Sequence, residues 1–256
     1  MCWKHWRSRH DRTPDRPVRR TDARGGYQVT PYWRDEERGL VIYHGDCRDI
    51  LPELADGEFG SVITDPPYGI GFADWDIPPD SAILQECLRV AEGSVVMFGA
   101  AAPRGLTRFL SLSPNPERML VWHRVCSHVP PAGSTISWRW AALFLWRYDH
   151  RQTVIRTDVI RTLDWPRKRA FNHPASKPES IMHLLLRAFG GPSSLDPYMG
   201  SGTTLVAAAK LGIPCTGIEI EEKYCEMARC RLEGGFMDDE PAHLFNQEEL
   251  TCKQPS

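Results

Sequence analysis

The stretch Ser61-Val62-Ile63-Thr64-Asp65-Pro66-Pro67-Tyr68 decides how the rest of the chain is interpreted. Its first four residues form an apolar, β-branched run that stops at a proline pair, which predicts a short buried strand. Asp65 to Tyr68 then lie at the carboxyl end of that strand, where open α/β sheets bind ligands. The carboxylate, the rigid proline carbonyls and the aromatic face suit an exocyclic amine on a planar heterocycle. A simple turn after a strand is the alternative interpretation.

Strand and helix patterns alternate on both sides of this stretch. Apolar runs at 40–44, 94–99 and 214–220 predict strands, and amphipathic patterns at 79–92 and 179–189 predict helices. Such alternation is typical of an α/β fold with a doubly wound, largely parallel sheet. Residues 148–172 lose the pattern, and no element is predicted there.

Composition allows one domain with two polar extensions. The chain has 256 residues and 41% hydrophobic content, enough for a single α/β core. We predict a disordered basic arm at 1–26, one domain at 27–232 and a flexible acidic tail at 233–256. The arm could contact phosphate or could be a solvated extension. The net charge of −2 does not by itself indicate a nucleic-acid binder.

The cysteines and the apolar runs predict a cytoplasmic protein without a metal. The eight cysteines form no Cys-x-x-Cys pair, and the histidines lack a metal-binding spacing relative to them. We therefore expect reduced thiols and no metal site. No apolar run approaches the length of a membrane span, so we expect a soluble protein that does not contact a membrane.

A second group of residues, Asp196-Pro197-Tyr198-Met199-Gly200-Ser201-Gly202-Thr203-Thr204, has the pattern of a strand, a glycine loop and a helix. The two glycines allow close backbone approach to a ligand, and Thr203 or Thr204 could cap the helix. No lysine follows Gly202 as a P-loop requires, and Leu205 replaces the third glycine of a dinucleotide loop. Glu219, at the end of the next strand, could accept hydrogen bonds from ribose hydroxyls or could merely cap a helix. Together these features indicate S-adenosylmethionine.

Three motifs in their order resemble the exocyclic-amino DNA methyltransferases, which modify N6 of adenine or N4 of cytosine. The motifs are Asp65-Pro66-Pro67-Tyr68, His173-Pro174-x-x-Lys177-Pro178 and Asp196 to Thr204. Because the first motif precedes the glycine loop, the order resembles the permuted β group of that family. The resemblance covers about residues 40–232. It implies a Rossmann-like methyltransferase sheet of about seven mostly parallel strands, one of them antiparallel.

The resemblance also divides the domain and assigns residues to roles. It implies a catalytic part at about 40–123, a target-recognition region at about 124–172 and a cofactor part at about 173–232. Catalysis would involve Asp65, Pro66, Pro67 and Tyr68. The implied cofactor contacts are Asp46, Cys47, Lys177, Asp196, Tyr198, Gly200, Ser201, Gly202, Thr203, Thr204 and Glu219. The basic residues of the recognition region would contact DNA or would lie in a solvated loop: Arg151, Arg156, Arg161, Arg167, Lys168 and Arg169.

Some of these roles are more specific. By resemblance, Asp46 would contact the adenine of the cofactor, Tyr198 would lie near its methionine part, and the Lys177 segment would lie by its carboxylate. Tyr198 stands where the family usually has phenylalanine. The recognition region is short, which is compatible with a second subunit that completes it.

We therefore expect a site-specific enzyme that methylates N6 of a flipped-out adenine in double-stranded DNA, with S-adenosylmethionine as cofactor. Within the family, Asp at the first position of the tetrad goes mostly with adenine and Ser with cytosine, so cytosine-N4 methylation is the nearest alternative. A non-catalytic DNA-binding relative and an RNA or protein methyltransferase are the others. A homodimer and a restriction endonuclease partner are both compatible with this interpretation.

Overall fold

The computed structural model describes residues 20–21, 27–28, 30–69, 77, 80–100, 103–124, 140–148, 155, 157–162 and 177–234. Within the predicted arm, Arg20–Thr21 (β1) pair antiparallel with Tyr27–Gln28 (β2), so these two residues form a strand where disorder was expected. The rest of the arm lies outside the described residues. The same holds for the predicted tail beyond residue 234.

The elements of the main domain follow the apolar patterns closely. Its strands are β3 Trp33–Asp35, β4 Leu40–His44, β5 Ser61–Thr64, β6 Val95–Gly99, β7 Arg118–Arg124, β8 Trp140–Trp146, β9 Val159–Thr162, β10 Ser194–Asp196 and β11 Cys215–Glu219. Its helices are α1 Cys47–Ile50, α2 Ser81–Val90, α3 Pro103–Leu110, α4 Glu179–Phe189, α5 Thr203–Leu211 and α6 Glu222–Glu233, with a 3₁₀ turn at Leu51–Glu53.

The strands form one nine-stranded sheet in the order β3-β4-β11-β10-β5-β6-β8-β7-β9. Strands β4, β11, β10, β5 and β6 run parallel to one another, and β8 runs antiparallel to both of its neighbours. The seven strands from β4 to β7, with β8 reversed, confirm the predicted fold class. Two short edge strands extend this sheet beyond the expected seven, because β3 pairs antiparallel with β4 and β9 pairs parallel with β7.

Helices cover both faces of the sheet. Because side chains alternate along a strand, Val96 and Phe98 of β6 pack in the cluster that contains α4, α5 and α6. Val95 and Met97 pack on the opposite face with α2 and with Phe109 of α3. Strand β6 is thus buried on both faces, which explains its continuous apolar sequence. Within the described part of the chain, no helix combines the length and the apolarity needed to cross a bilayer.

Candidate active site

Four acidic side chains gather at one edge of the sheet. Asp46, Glu219, Asp196 and Asp65 stand at or just after the carboxyl ends of β4, β11, β10 and β5, which are consecutive neighbours in the sheet. Parallel strands end at the same edge, so the two motifs that are far apart in sequence become adjacent in space. This edge is the candidate site.

Asp65 lies at the centre of a short polar network. Its Oδ1 accepts a hydrogen bond of 2.5 Å from the Tyr68 hydroxyl, and its Oδ2 forms an ion pair with Lys177 Nζ. The side chains of Asp65 and Lys177 are only 16% and 15% exposed, so this pair is screened from bulk water. Sequence reasoning assigned Lys177 to the cofactor, whereas the structure brings its ammonium onto the tetrad.

Two aromatic rings surround the Lys177 ammonium. Its Nζ lies 5.6 Å from the centre of the Tyr68 ring and 5.2 Å from the centre of the buried Phe98 ring. Such distances favour attraction between a cation and the ring faces. Phe98 lies near the carboxyl end of β6 and was not among the predicted site residues. The Tyr68 ring also packs edge-on against Phe109, with ring centres 6.3 Å apart.

Arg108 holds the chain just after the tetrad. Its Nη1 donates to the Tyr68 carbonyl at 3.1 Å and to the Gly69 carbonyl at 2.7 Å. A single guanidinium in α3 thereby fixes the exit of the Asp65–Tyr68 turn. Arg108 is a positioning residue that sequence reasoning missed, because nothing in the sequence indicates that α3 packs against this turn.

Asp196 links the two motifs. Its Oδ1 accepts from the Thr64 hydroxyl at 2.6 Å and from the Tyr198 backbone N–H at 3.1 Å, and its Oδ2 accepts from the Thr204 hydroxyl at 2.5 Å. Burial raises the pKa of Asp196 to about 6, although these hydrogen bonds favour the ionised form. Asp196 therefore connects the end of β5 to the start of α5, and it supports the site from its buried side.

The glycine loop contains two residues with left-handed backbone, a conformation that glycine adopts without steric cost. Gly200 has φ of 52° and Gly202 has φ of 79°. A Cβ on Gly202 would lie 2.6 Å from the Cβ of Ala228 in α6, so the loop and α6 are in direct backbone contact. The predicted threonine cap is wrong: Gly202 is the N-cap of α5 and no side chain caps the helix. The Thr204 hydroxyl instead donates to Asp196, and the Thr203 hydroxyl accepts from Arg231 at 3.2 Å.

Glu219 faces the glycine loop from the next strand. Its Oε2 accepts from Gly200 N–H at 2.9 Å, and its Oε1 accepts from Glu221 N–H at 2.8 Å. Burial raises the pKa of Glu219 to about 7, and the charges of Glu221 and Asp196 add to the rise. Each carboxylate oxygen keeps a second lone pair that can accept a hydroxyl proton.

We expect the stability of the ligand-free protein to fall as pH rises from about 5 to about 7. In that range folded Glu219 keeps its proton while the unfolded side chain has lost it, so ionisation favours unfolding. Each unit of pKa difference corresponds to about 1.4 kcal/mol. Urea unfolding at several pH values should show a weaker pH dependence for Glu219→Gln. Glu36→Gln, whose side chain is 79% exposed, is the control and should match the wild type. Equal slopes for all three proteins would contradict the assignment.

The residues after β4 form the far wall of the site. Asp46 caps α1 by accepting from Arg48 N–H at 2.9 Å, and it also forms an ion pair of 2.5 Å with the Arg48 guanidinium. Cys47 is buried, and burial raises the pKa of its thiol to about 11. Cys47 is thus an inert packing residue between α1 and the glycine loop. Within the described residues, no group of three or more ligating side chains could hold a metal ion.

The basic residues predicted to contact DNA are mostly beyond what the structure describes. Arg161 is exposed on the edge strand β9. The other five predicted contacts lie outside the described residues: Arg151, Arg156, Arg167, Lys168 and Arg169. Arg124, at the end of β7, was not predicted. Its guanidinium carbon lies 5.7 Å from the centre of the Trp122 ring, and desolvation lowers its pKa.

Comparison with known proteins supports the resemblance to DNA methylases. A family model described as DNA methylase, of the N6/N4 methyltransferase type, matches residues 117–229. Over these residues the chain matches the N6-adenine/N4-cytosine DNA methylase family, and this match supports the resemblance that the sequence motifs indicated. This methylase is 26% identical over 200 residues to the protein YubD of Escherichia coli (strain K12), across 73% of this chain and 88% of that protein. It is 44% identical over 68 residues to type II methyltransferase M2.DpnII of Streptococcus pneumoniae, about a quarter of each chain.

Two solved structures share the fold of this methylase. M1.HpyAVI, solved as a complex with S-adenosylmethionine, superposes with a TM-score of 0.56 at 21% identity, over 75% of this chain and 99% of that chain. The cytosine-N4-specific PvuII DNA methyltransferase superposes with a TM-score of 0.58 at 16% identity, over 82% and 89%. At these identities the likeness concerns the fold.

The side chains of the site fit S-adenosylmethionine, the cofactor of this methylase. The glycine loop lets the backbone approach a ligand, and the buried Glu219 carboxylate lies against that loop. A ribose without a pyrophosphate needs hydroxyl acceptors and no phosphate-binding lysine, and this is the set of groups at the end of β10 and β11.

Proposed function

We propose that this DNA methylase transfers the methyl group of S-adenosylmethionine to the exocyclic N6 amine of adenine in double-stranded DNA. The observation that carries the proposal is the polar cradle at Asp65, which stands one strand away from the glycine loop. Asp65 and the Pro66 carbonyl provide two fixed acceptors beside the Tyr68 ring. This arrangement suits a planar amine.

The cradle acts on a base that has left the duplex. A base inside a duplex is inaccessible to such a site, so we infer that the target is flipped out. Tyr68 stacks on it, a contact worth about 1–3 kcal/mol per base. Asp65 and the Pro66 carbonyl each accept one N–H of the amine. The nitrogen then becomes pyramidal, and its lone pair turns away from the ring and toward the methyl group.

S-adenosylmethionine, when bound, supplies a methyl group on an electrophilic sulfonium sulfur. The amine nitrogen forms the new bond to carbon as the carbon–sulfur bond breaks, so the residues mainly position the two reactants. The methylated nitrogen is cationic and strongly acidic. Asp65 can take up its proton, because a carboxylate is far more basic than this nitrogen, whose lone pair is otherwise delocalised into the ring. Pro67 serves to keep the turn rigid.

The residues that would hold the cofactor divide by element. We propose that Glu219 accepts from the ribose hydroxyls, that the Asp196–Gly202 loop lies against the methionine part, and that Asp46 with its neighbour Cys47 borders the adenine. Asp196, Thr203 and Thr204 are buried, and their hydrogen bonds support the loop from behind. Tyr198, which replaces the usual phenylalanine of the family, still places an aromatic ring where the glycine loop meets α1.

Adenine is favoured over cytosine by the aspartate at the head of the tetrad. Cytosine-N4 methylation is the second candidate, and the similarity to the PvuII cytosine-N4 enzyme is the observation that favours it. Both bases carry the same amine chemistry.

The similarity to a type II methyltransferase supports a role in restriction and modification. An endonuclease partner and a homodimer are compatible with that role.

Methylation of the DNA of an expressing host tests the proposal directly. We expect mass spectrometry of digested DNA to detect N6-methyladenine that is absent from cells carrying an empty vector. Single-molecule methylome sequencing of the same DNA should then give the modified sequence. The detection of N4-methylcytosine without N6-methyladenine would replace the adenine assignment. Transfer to RNA with none to DNA would remove the proposed substrate.

A further inference from the structure

We propose that Lys177 is a positioning residue whose ammonium occupies the amine position of the cradle until a target base displaces it. The inference rests on the proposed function of Asp65 and gives the same site a second state. The ammonium is a donor of N–H hydrogen bonds to a carboxylate, as is the exocyclic amine of a base. The Lys177 ammonium and the amine of the target base therefore donate to the same acceptor, the Asp65 carboxylate.

The contacts of Lys177 match those of the expected substrate group by group. Its Nζ is paired with Oδ2 of Asp65, the atom available to an amine once the Tyr68 hydroxyl has taken Oδ1. It lies near the face of the Tyr68 ring, where a flipped base would stack. Phe98 closes the other side at 5.2 Å from the ammonium. Lys177 and the base therefore compete for one place.

A temporary occupant has a physical purpose here. Asp65 is largely enclosed, and a carboxylate in such a place is costly when it has no charged partner or hydrogen-bond donor. Lys177 stabilises the ionised carboxylate and keeps the cradle in the shape that the base requires. The long lysine side chain can leave without moving the backbone of the tetrad.

Displacement gives Lys177 a second position to occupy. Lys177 lies at the start of the segment that leads into α4. Asp196 accepts a hydrogen bond from Thr64 of β5, and so it holds the strand that precedes the tetrad beside the glycine loop. A negatively charged group brought by the cofactor would draw the released ammonium. The methionine carboxylate is such a group. Arrival of the cofactor would then help to empty the cradle for the base.

The test compares Lys177→Met with the wild type in steady-state methyl transfer. The substrate is a duplex that carries the sequence identified by methylome sequencing. Lys210→Met is the matched control, because Lys210, near the C-terminal end of α5, forms a similarly screened ion pair of 2.7 Å with Glu179. Lys177→Gln is a second variant, and thermal unfolding establishes that each protein is folded.

We expect Lys177→Met and Lys177→Gln to lower KM for DNA roughly two- to tenfold, because the competing ion pair is gone. We expect kcat to change less, and Lys210→Met to change neither constant. An unchanged or higher KM for DNA in both folded variants would overturn the proposal. A wild-type protein that methylates no DNA would instead count against the proposed function, so the two failures are distinguishable.

A binding measurement tests whether the released Lys177 ammonium moves to the methionine carboxylate. Binding of S-adenosylhomocysteine, which carries the methionine carboxylate, is compared with binding of 5′-methylthioadenosine, which lacks it. We expect Lys177→Met to weaken the first several-fold and to leave the second unchanged. Equal effects on the two compounds would remove the carboxylate as the second position of Lys177.

Discussion

Replacement of Asp65 by alanine is expected to lower kcat for methyl transfer by roughly 10²- to 10⁴-fold, the usual contribution of a positioned acid or base. The change removes the acceptor for one N–H of the target amine and the group that takes its proton. It also removes the partner of Lys177 and of the Tyr68 hydroxyl. Radiolabelled methyl transfer measured at saturating DNA and cofactor would show the loss.

Cofactor binding separates this loss from unfolding. Asp65 makes no hydrogen bond to the glycine loop among the described contacts, so the affinity for S-adenosylhomocysteine should stay within about threefold. Asp56→Ala is the matched control, since Asp56 forms an ion pair of 2.5 Å with Arg89 on the surface. It should retain full activity. Activity of Asp65→Ala near the wild-type level would exclude Asp65 from the mechanism.

Replacement of Gly202 by alanine is expected to damage the cofactor site severely. Gly202 has φ of 79°, where an L side chain costs about 1–2 kcal/mol. The new methyl would also lie 2.6 Å from Ala228 Cβ and 3.2 Å from its Cα, so the loop must move away from α6. We expect the free energy of unfolding to fall by about 2–4 kcal/mol. Calorimetric titration should show cofactor affinity at least about tenfold weaker.

Gly212 supplies a control with the same backbone and no collision. It ends α5 with φ of 68°, and a Cβ there would meet nothing within 4 Å. Gly212→Ala should therefore cost only the backbone term of about 1–2 kcal/mol and leave cofactor affinity unchanged. Equal losses in the two variants would show that backbone strain alone, without the contact to α6, determines the outcome.

The sequence was informative where one local rule decides the structure. Helix α4 has the predicted bounds, because apolar periodicity, a glycine break and a proline all mark the same ends. Strand β9 was missed. It is a four-residue edge strand with two exposed side chains, so it lacks the continuous apolar run of a central strand.

The location of the site residues in the sheet was predicted better than the hydrogen bonds and ion pairs that their side chains make. The tetrad and the glycine loop are adjacent as expected, since parallel strands bring their carboxyl ends together. The pairing of Lys177 with Asp65 and the anchoring of the tetrad by Arg108 depend on how separate elements pack. The threonine cap was wrong because Gly202 is the N-cap of α5, so Thr203 and Thr204 already lie in the first turn, where their hydroxyls do not take the capping position.

The strand order has a consequence for how the chain assembles. Strands β10 and β11 come last in sequence, yet they lie between β4 and β5, which come early. A ribosome-bound chain that has emerged only as far as β9 therefore exposes two open strand edges that face a gap. Such edges invite pairing with other chains. We infer that the middle of the sheet closes last, once β10 and β11 have been made.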